Sequence, residues 1–408
     1  MLFHTWMRTA SFVVCMTLLA GCGSSETEPS SATTSGGSLP TLSIGAESQQ
    51  SAEPKVQVED LEQGSPEWIV REITRLRVQP APETNDVEKL KAFRLKRNRK
   101  VIEFATQAVA LTHKDPEKER LFTVAAHHMM EARLQLALQG DRSSIDSLYD
   151  DAASFYQRDP ESQAAADAAY TLASFAHSNS RRFDEKEPRW LVEFSRQACL
   201  FARNFPKDSR RAPTLLLAAG ESCELHGMVE EAVNCYSILQ NEFSESPLSA
   251  QVSGSLRRLK LQGQPLKLAG PTLDGGFVSV EKFKGKVVLV VFWGTQANAF
   301  VEQIPRLNQL REKYSRHELE IVGVNLDEEE PSIDAFLEKH VLDWPQIFYS
   351  DREKRGWKNP TVIYYGIKNI PTAWLVDQEG IVIDTQVSFA TVDAKLKSLL
   401  TGSGKSVK

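Results

Sequence analysis

The stretch that most constrains this chain is Val287–Phe292, an unbroken run of aliphatic, largely β-branched residues closed by an aromatic. Such a run is a strand buried on both faces, which demands a sheet covered on each side. It passes through Trp293, Gly294 and Thr295 into an amphipathic segment with Val301, Ile304, Leu307 and Leu310 on its apolar side. The intervening loop therefore lies at the carboxyl end of a buried strand, where α/β proteins place their chemistry. That loop carries one threonine hydroxyl but no thiol, no metal ligand and no charge.

The rest of the C-terminal third builds a sheet around this strand. Gln262-Gly-Gln-Pro265 is a breaker cluster and marks a domain boundary. Beyond it, Thr272-Leu-Asp and Phe277-Val-Ser-Val flank Gly275-Gly276 as a hairpin. The pattern then predicts a helix over Asn298–Ser315 kinked at Pro305, a strand over Glu320–Asn325 and a helix over Pro331–His340. A short strand near Gln346–Phe348, strands Thr372–Val376 and Ile381–Asp384 and a last helix over Thr391–Leu400 complete it. This is a mixed sheet with helices on its faces.

That order and three motifs resemble the thioredoxin fold of membrane-tethered thiol–disulfide oxidoreductases and their peroxide-reductase relatives. The motifs are Phe283-Lys-Gly-Lys-Val-Val-Leu-Val-Val-Phe-Trp293, Ile321-Val-Gly-Val-Asn325, and Tyr365-Gly-Ile-Lys-Asn-Ile-Pro-Thr372 leading into Trp374-Leu-Val-Asp377. The resemblance implies a Cys-x-x-Cys after the buried strand, its first thiol activated at a helix N-terminus. Here Ala297 occupies the nucleophile position and Phe300 the resolving position. Val291 stands where thioredoxins proper keep a buried acid, and no peroxidatic Thr-x-x-Cys is present. Residues 266–408 contain no cysteine at all. Thiol–disulfide exchange requires an attacking thiolate, so the expected catalytic set is empty. The proline motif survives. The resemblance implies that Pro371 is cis and faces the loop, so Ile370 and Pro371, with Trp293, Gln296 and Phe300, are the candidate binding residues for an extended peptide, with a core role equally open for Trp293 and Phe300. A purely structural role for that proline, fixing the strand entry, is the plainer alternative.

Residues 65–265 read as helices. Ser65-Pro66 is an N-cap followed by proline at the first helical position. Pro116, Asp159-Pro160 and Ser246-Pro247 mark further helix starts. Phe205-Pro-Lys-Asp-Ser-Arg-Arg-Ala212 aligns with Phe243-Ser-Glu-Ser-Pro-Leu-Ser-Ala250, and Tyr156-Gln-Arg-Asp-Pro160 is a weaker third copy. The spacing is near the tetratricopeptide period of about 34 residues. Leu216, Ala219, Gly220, Cys223, Ala232, Tyr236 and Leu239 resemble the size pattern of that repeat, with Ser244 in place of its proline. The fold class is thus two-domain: an all-α, tetratricopeptide-like helical-repeat region (65–265) followed by an α/β thioredoxin-fold domain (266–402), with a flexible tail at 403–408.

The N-terminus bears on location. Ala10–Ala20 is apolar but too short to span a bilayer, as in a secretory signal. Leu19-Ala20-Gly21-Cys22 resembles the bacterial lipobox, which implies a signal peptide over 1–21 and lipidation at Cys22. Residues 22–64 are poor in aromatics and rich in Ser, Thr, Gly, Glu and Pro, a disordered tether in composition. Gly23 resembles lipoproteins sent on to the outer membrane. The reading is a lipid-anchored envelope protein facing the periplasm.

Five cysteines are encoded. After Cys15 and Cys22 are assigned to the signal and the lipid, Cys199, Cys223 and Cys235 remain, without a C-x-x-C. Each sits in an apolar helical pattern where a free Cys packs as a small hydrophobe. A Cys223–Cys235 disulfide is open in an oxidising compartment. A net charge of −6 argues against nucleic acid as a partner. No metal site and no cofactor motif is encoded, and the adjacent His127 and His128 point in different directions on a helix. The expected function is a non-catalytic protein-binding or scaffold module. The alternative is a thiol–disulfide oxidoreductase or antioxidant activity using Cys199, Cys223 or Cys235.

Overall fold

A computed structural model describes residues 61–183, 188–314 and 318–402. The expected signal segment, Cys22, all but the last few residues of the tether, and the 403–408 tail lie outside the described residues. Among the described residues no helix is long and apolar enough to cross a membrane.

The first half is helical, in the order α1 Pro66–Val78, α2 Val87–Thr112, α3 Glu119–Ala137, α4 Arg142–Arg158, α5 Gln163–Phe183, α6 Arg189–Asn204, α7 Arg211–Leu225, α8 Val229–Glu242 and α9 Pro247–Leu259. Local chemistry sets many of these ends. Ser65 Oγ accepts from the Trp68 amide at 3.2 Å and caps α1 behind Pro66. Ser246 and Pro247 start α9 in the same way. Two expected starts fall differently. Pro116 opens a short 3-10 turn, Pro116–Lys118, ahead of α3. Asp159 closes α4, because its carboxylate accepts from the Glu161 amide at 3.0 Å and turns the chain. Ser162 then supplies the α5 start through the Ala165 amide.

Each helix packs on the next, and α3 on α5, α6 on α8 and α7 on α9 as well, the contact pattern of stacked hairpins around one continuous core. Close approach is built in at α7 and α8, where a Cβ on Gly220 would overlap the Tyr236 ring.

The second part is a five-stranded mixed sheet. The small hairpin β1 Ala269–Pro271 and β2 Phe277–Ser279 comes first, and its turn absorbs Thr272–Asp274, which the sequence pattern assigns to a strand. Asp274 accepts from the Gly276 amide at 3.2 Å, so those residues serve the turn. There follow β3 Val287–Trp293, α10 Asn298–Val301, α11 Ile304–Lys313, β4 Leu319–Asn325, α12 Glu330–Leu337, β5 Gln346–Ile347, α13 Pro360–Tyr365, β6 Thr372–Val376, β7 Val382–Asp384 and α14 Val392–Gly402. The strand order is β5-β4-β3-β6-β7, with β4 parallel and β6 antiparallel to β3.

Every residue of β3 is at most 1% exposed. Its odd-numbered side chains, Leu289, Val291 and Trp293, pack with Leu307, Leu310, Ile333 and Leu396. The alternate set, Val288, Val290 and Phe292, packs with Val362, Tyr365 and Trp374 on the other face. The unbroken apolar run is thus explained by a strand with two covered faces. The helix expected over Asn298–Ser315 is two helices, not one kinked helix. Pro305 occupies the first turn of α11, where its missing N–H and its ring cost nothing.

An all-α region followed by a thioredoxin-like mixed α/β domain is therefore the architecture. The breaker cluster between them is not a free linker. Gly263 donates to Val382 O at 2.8 Å and Val382 donates back to Gln264 O at 2.9 Å, which stitches the boundary peptide to edge strand β7.

Candidate functional site

The carboxyl end of β3 is built from three segments. The first is its own loop, where the Ala297 amide donates to Gly294 O at 3.0 Å and the Phe300 amide to Ala297 O at 2.8 Å. Gln296 is exposed and Ala297 half-buried. The second is the end of the adjacent strand β4. Asp327, only 9% exposed, accepts from the Thr295 amide at 3.0 and 3.1 Å, from Thr295 Oγ1 at 2.7 Å and from Asn325 Nδ2 at 2.7 Å. The third is the segment entering β6, where the Ile370–Pro371 peptide bond is cis. A Cβ on Gly294 would lie 3.2 Å from Ile370 Cδ1, so the loop and the proline segment face each other closely.

The structure thus sets the loop that carries Gln296 and Ala297 against the segment of Ile370 and Pro371, through Gly294 and Ile370. It does not bring Trp293 and Phe300 to that surface. Both are fully buried, stacked with ring centroids 4.7 Å apart, and Trp293 Nε1 donates to Gln346 Oε1 at 2.8 Å. Of the two roles open for these rings, docking face and core, the first is corrected and the second holds. Phe300 begins the inward-facing row of α10 and α11, and the ring carries too much apolar area to be left in water. The candidate surface reduces to Gln296, Ala297, Ile370 and Pro371.

Asp327 is a site residue that the motifs above do not include. The acidic run Asp327–Glu330 reads as carboxylates at the start of a helix, yet α12 begins at Glu330 and Asp327 is directed into the loop. The available signal was position, since Asn325-Leu-Asp327 ends the strand beside β3.

The proline segment is held from the other domain. Arg258 of α9 donates to Tyr365 O at 2.8 Å and to Gly366 O, and it forms a buried ion pair with Glu224 of α7. Tyr236 of α8 donates to the second Glu224 oxygen at 2.8 Å. Burial and the Glu224 carboxylate both push the Tyr236 phenol pKa up, so it stays a donor. Lys368 reaches Glu221 at 2.9 Å and Glu224 at 3.8 Å. A Cβ on Gly254 would lie 2.6 Å from Gly366 N, so the two backbones nearly touch. Gly366, at φ +57, ends α13 in the left-handed conformation. No local pattern in the sequence announces this junction.

The three cysteines of the helical region are all free and buried. Cys223 hydrogen-bonds to Leu191 O at 3.9 Å, and burial pushes its pKa up to about 12. Cys199 and Cys235 are the neighbours, with sulfurs 3.7 Å apart. The open Cys223–Cys235 pairing is corrected accordingly, because α6 and α8 face each other in the stack while Cys223 on α7 turns toward Leu191. Among the described residues no group of three His, Cys, Asp or Glu is placed to hold a metal ion.

Residues 262–385 match the model of the AhpC/TSA family. The match is confined to the sheet domain and covers under a third of the chain. Thiol-disulfide oxidoreductase ResA of Bacillus thuringiensis subsp. konkukian is 31% identical over 111 residues, 27% of this chain and 60% of that protein. The same-named protein of Geobacillus thermodenitrificans is 27% identical over 131 residues, 32% of this chain and 63% of its own length. This chain therefore spans about three fifths of the length of these curated relatives. The thioredoxin domain of a thiol-disulfide oxidoreductase from Bacteroides vulgatus is 25% identical, covering 33% of this chain and 97% of that one at a TM-score of 0.30. The sheet domain is thioredoxin-like, with thiol–disulfide oxidoreductases among its homologues.

Proposed function

We propose that the protein is a lipid-anchored envelope component facing the periplasm. In this reading its thioredoxin-like domain is a non-catalytic docking module for other proteins or extended peptides. One observation carries it. The loop facing cis-Pro371 presents Gln296 and Ala297, with Phe300 buried beneath, so no thiolate stands where an oxidoreductase needs one. The half-buried Ile370 and Pro371 lead into β6, a place suited to pairing with an extended chain. The Leu19-Ala-Gly-Cys22 motif supports the lipid anchor and Gly23 the outer membrane. The alternative oxidoreductase reading would draw on Cys199, Cys223 or Cys235, and the burial of all three in the helical core opposes it.

The test is insulin reduction by the full chain, side by side with a variant in which these three cysteines are serine. No turnover above background is expected from either. Turnover by the native chain would end the non-catalytic reading. In the same preparation, Ile370→Arg is expected to lose the proteins that the native chain captures from its envelope.

A further inference from the structure

The helical core holds a pair of sulfurs that the candidate site does not use. Cys199 on α6 and Cys235 on α8 lie 3.7 Å apart, 4% and 0% exposed. Asn234 Nδ2 donates to Cys199 Sγ at 3.3 Å, a polar contact aimed at one sulfur of the pair and not the other. The third thiol, Cys223, is engaged with Leu191 O instead. We propose that Cys199 and Cys235 are a dithiol that closes to a disulfide in an oxidising compartment, stapling α6 to α8.

The geometry supports closure without rebuilding the stack. A disulfide has its sulfurs about 2 Å apart, so the two sulfurs, 3.7 Å apart on helices already in contact, have a short approach left to make. The two sulfurs are also unequal. The hydrogen bond from Cys235 lowers the Cys199 pKa against the opposing effect of burial, and the same bond raises that of Cys235. With Asn234 also donating to it, Cys199 is the sulfur that ionises first and attacks.

The co-reactant is a disulfide, either a small molecule or a dithiol oxidase. Cys199 Sγ attacks one sulfur of that disulfide, whose S–S bond breaks and releases one thiolate. Cys235, deprotonated in turn, attacks Cys199 Sγ and releases the second thiolate. Two protein thiols are oxidised, one disulfide is reduced to two thiols, and the two cysteine protons end on them. Burial confines the reaction to moments of local opening, so it is slow relative to an exposed thiol. Because Cys235 directly precedes Tyr236, the staple anchors the helix that supports Glu224 and, through Arg258, the proline segment.

The test uses the native full chain, incubated separately with oxidised glutathione and with diamide, then denatured, alkylated and peptide-mapped. The expected result is a dithiothreitol-sensitive link between the Cys199 and Cys235 peptides, with Cys223 alkylated. The oxidised chain is expected to melt several degrees above the reduced one. Cys223→Ser should form the same link, while Cys199→Ser should form none. Alkylation of all three thiols after both treatments would overturn the proposal, and so would a link containing Cys223 or a mixed disulfide on Cys199 that never resolves. Mapping the native chain needs no variant, so misfolding of a substituted chain does not blunt the result.

Discussion

The two walls of the candidate site are held by different means. The Gly294–Phe300 wall is fixed from inside its own domain, by one carboxylate at the end of the neighbouring strand. The Tyr365–Pro371 wall is fixed from outside, by a buried ion pair and a glycine-to-glycine backbone contact supplied by three helices of the other domain. A thioredoxin-like sheet places both walls, but only the second depends on the helical region. The helical region is therefore a structural part of the site and not merely a spacer beside it.

The comparison can be broken most severely at Arg258. Replacing Arg258 with Met takes the ion-pair partner from the buried Glu224 Oε1, leaving it Tyr236 and the more distant Lys368, and should cost about 3–5 kcal/mol in urea unfolding. A loss under ~1 kcal/mol would mean that the outer wall is not held by the pair. Gly254→Ala forces a methyl against Gly366 N and should cost about 1–3 kcal/mol, with amide exchange rising at Gly366–Asn369. Asp327→Ala should also cost about 1–3 kcal/mol. In that variant the loosened amides should be Thr295 and its neighbours, with Gly366–Asn369 unchanged. Equal loosening of both segments in either variant would erase the distinction between the walls.

Smaller effects sharpen the picture. Lys368 is partly exposed, so Lys368→Gln should lower stability by less than about 1 kcal/mol while leaving the Arg258 contacts intact. The smallest expected effect lies far from both walls. The Asp167 carboxylate, 3.7 Å from the His127 ring, outweighs the opposing burial and raises the His127 pKa above 6.5. A raised folded-state value means that its stabilisation is full below pH 6.5 and is lost as pH rises through the raised value. His127→Gln should therefore narrow its deficit to the native chain as pH climbs past neutrality, as read from chemical denaturation at several pH values.

Much of the fold was legible because periodicity reports burial directly. Val287–Phe292 could only be a central strand, and Ser65-Pro66 and Ser246-Pro247 announced helix starts through chemistry confined to adjacent residues. Failures came where one residue type serves two local roles. Asp159 caps or closes, Pro305 kinks or starts, and Thr272–Asp274 extends or turns, and the choice falls to what packs against them. The short helix α13 was readable in hindsight from Asn359-Pro360 and Gly366, an N-cap, a first-turn proline and a C-terminal glycine.

By itself, then, the sequence determined the class of the two regions, the missing thiols after β3 and the proline at position 371. These depend on residue identity and on spacing along the chain. Only the tertiary structure decided that Trp293 and Phe300 are core, that Asp327 grips the loop, that Cys235 neighbours Cys199 and that Arg258 holds the proline segment. Each of those facts joins residues far apart in the chain or turns a side chain inward, and only the packing of whole elements against one another sets such distances.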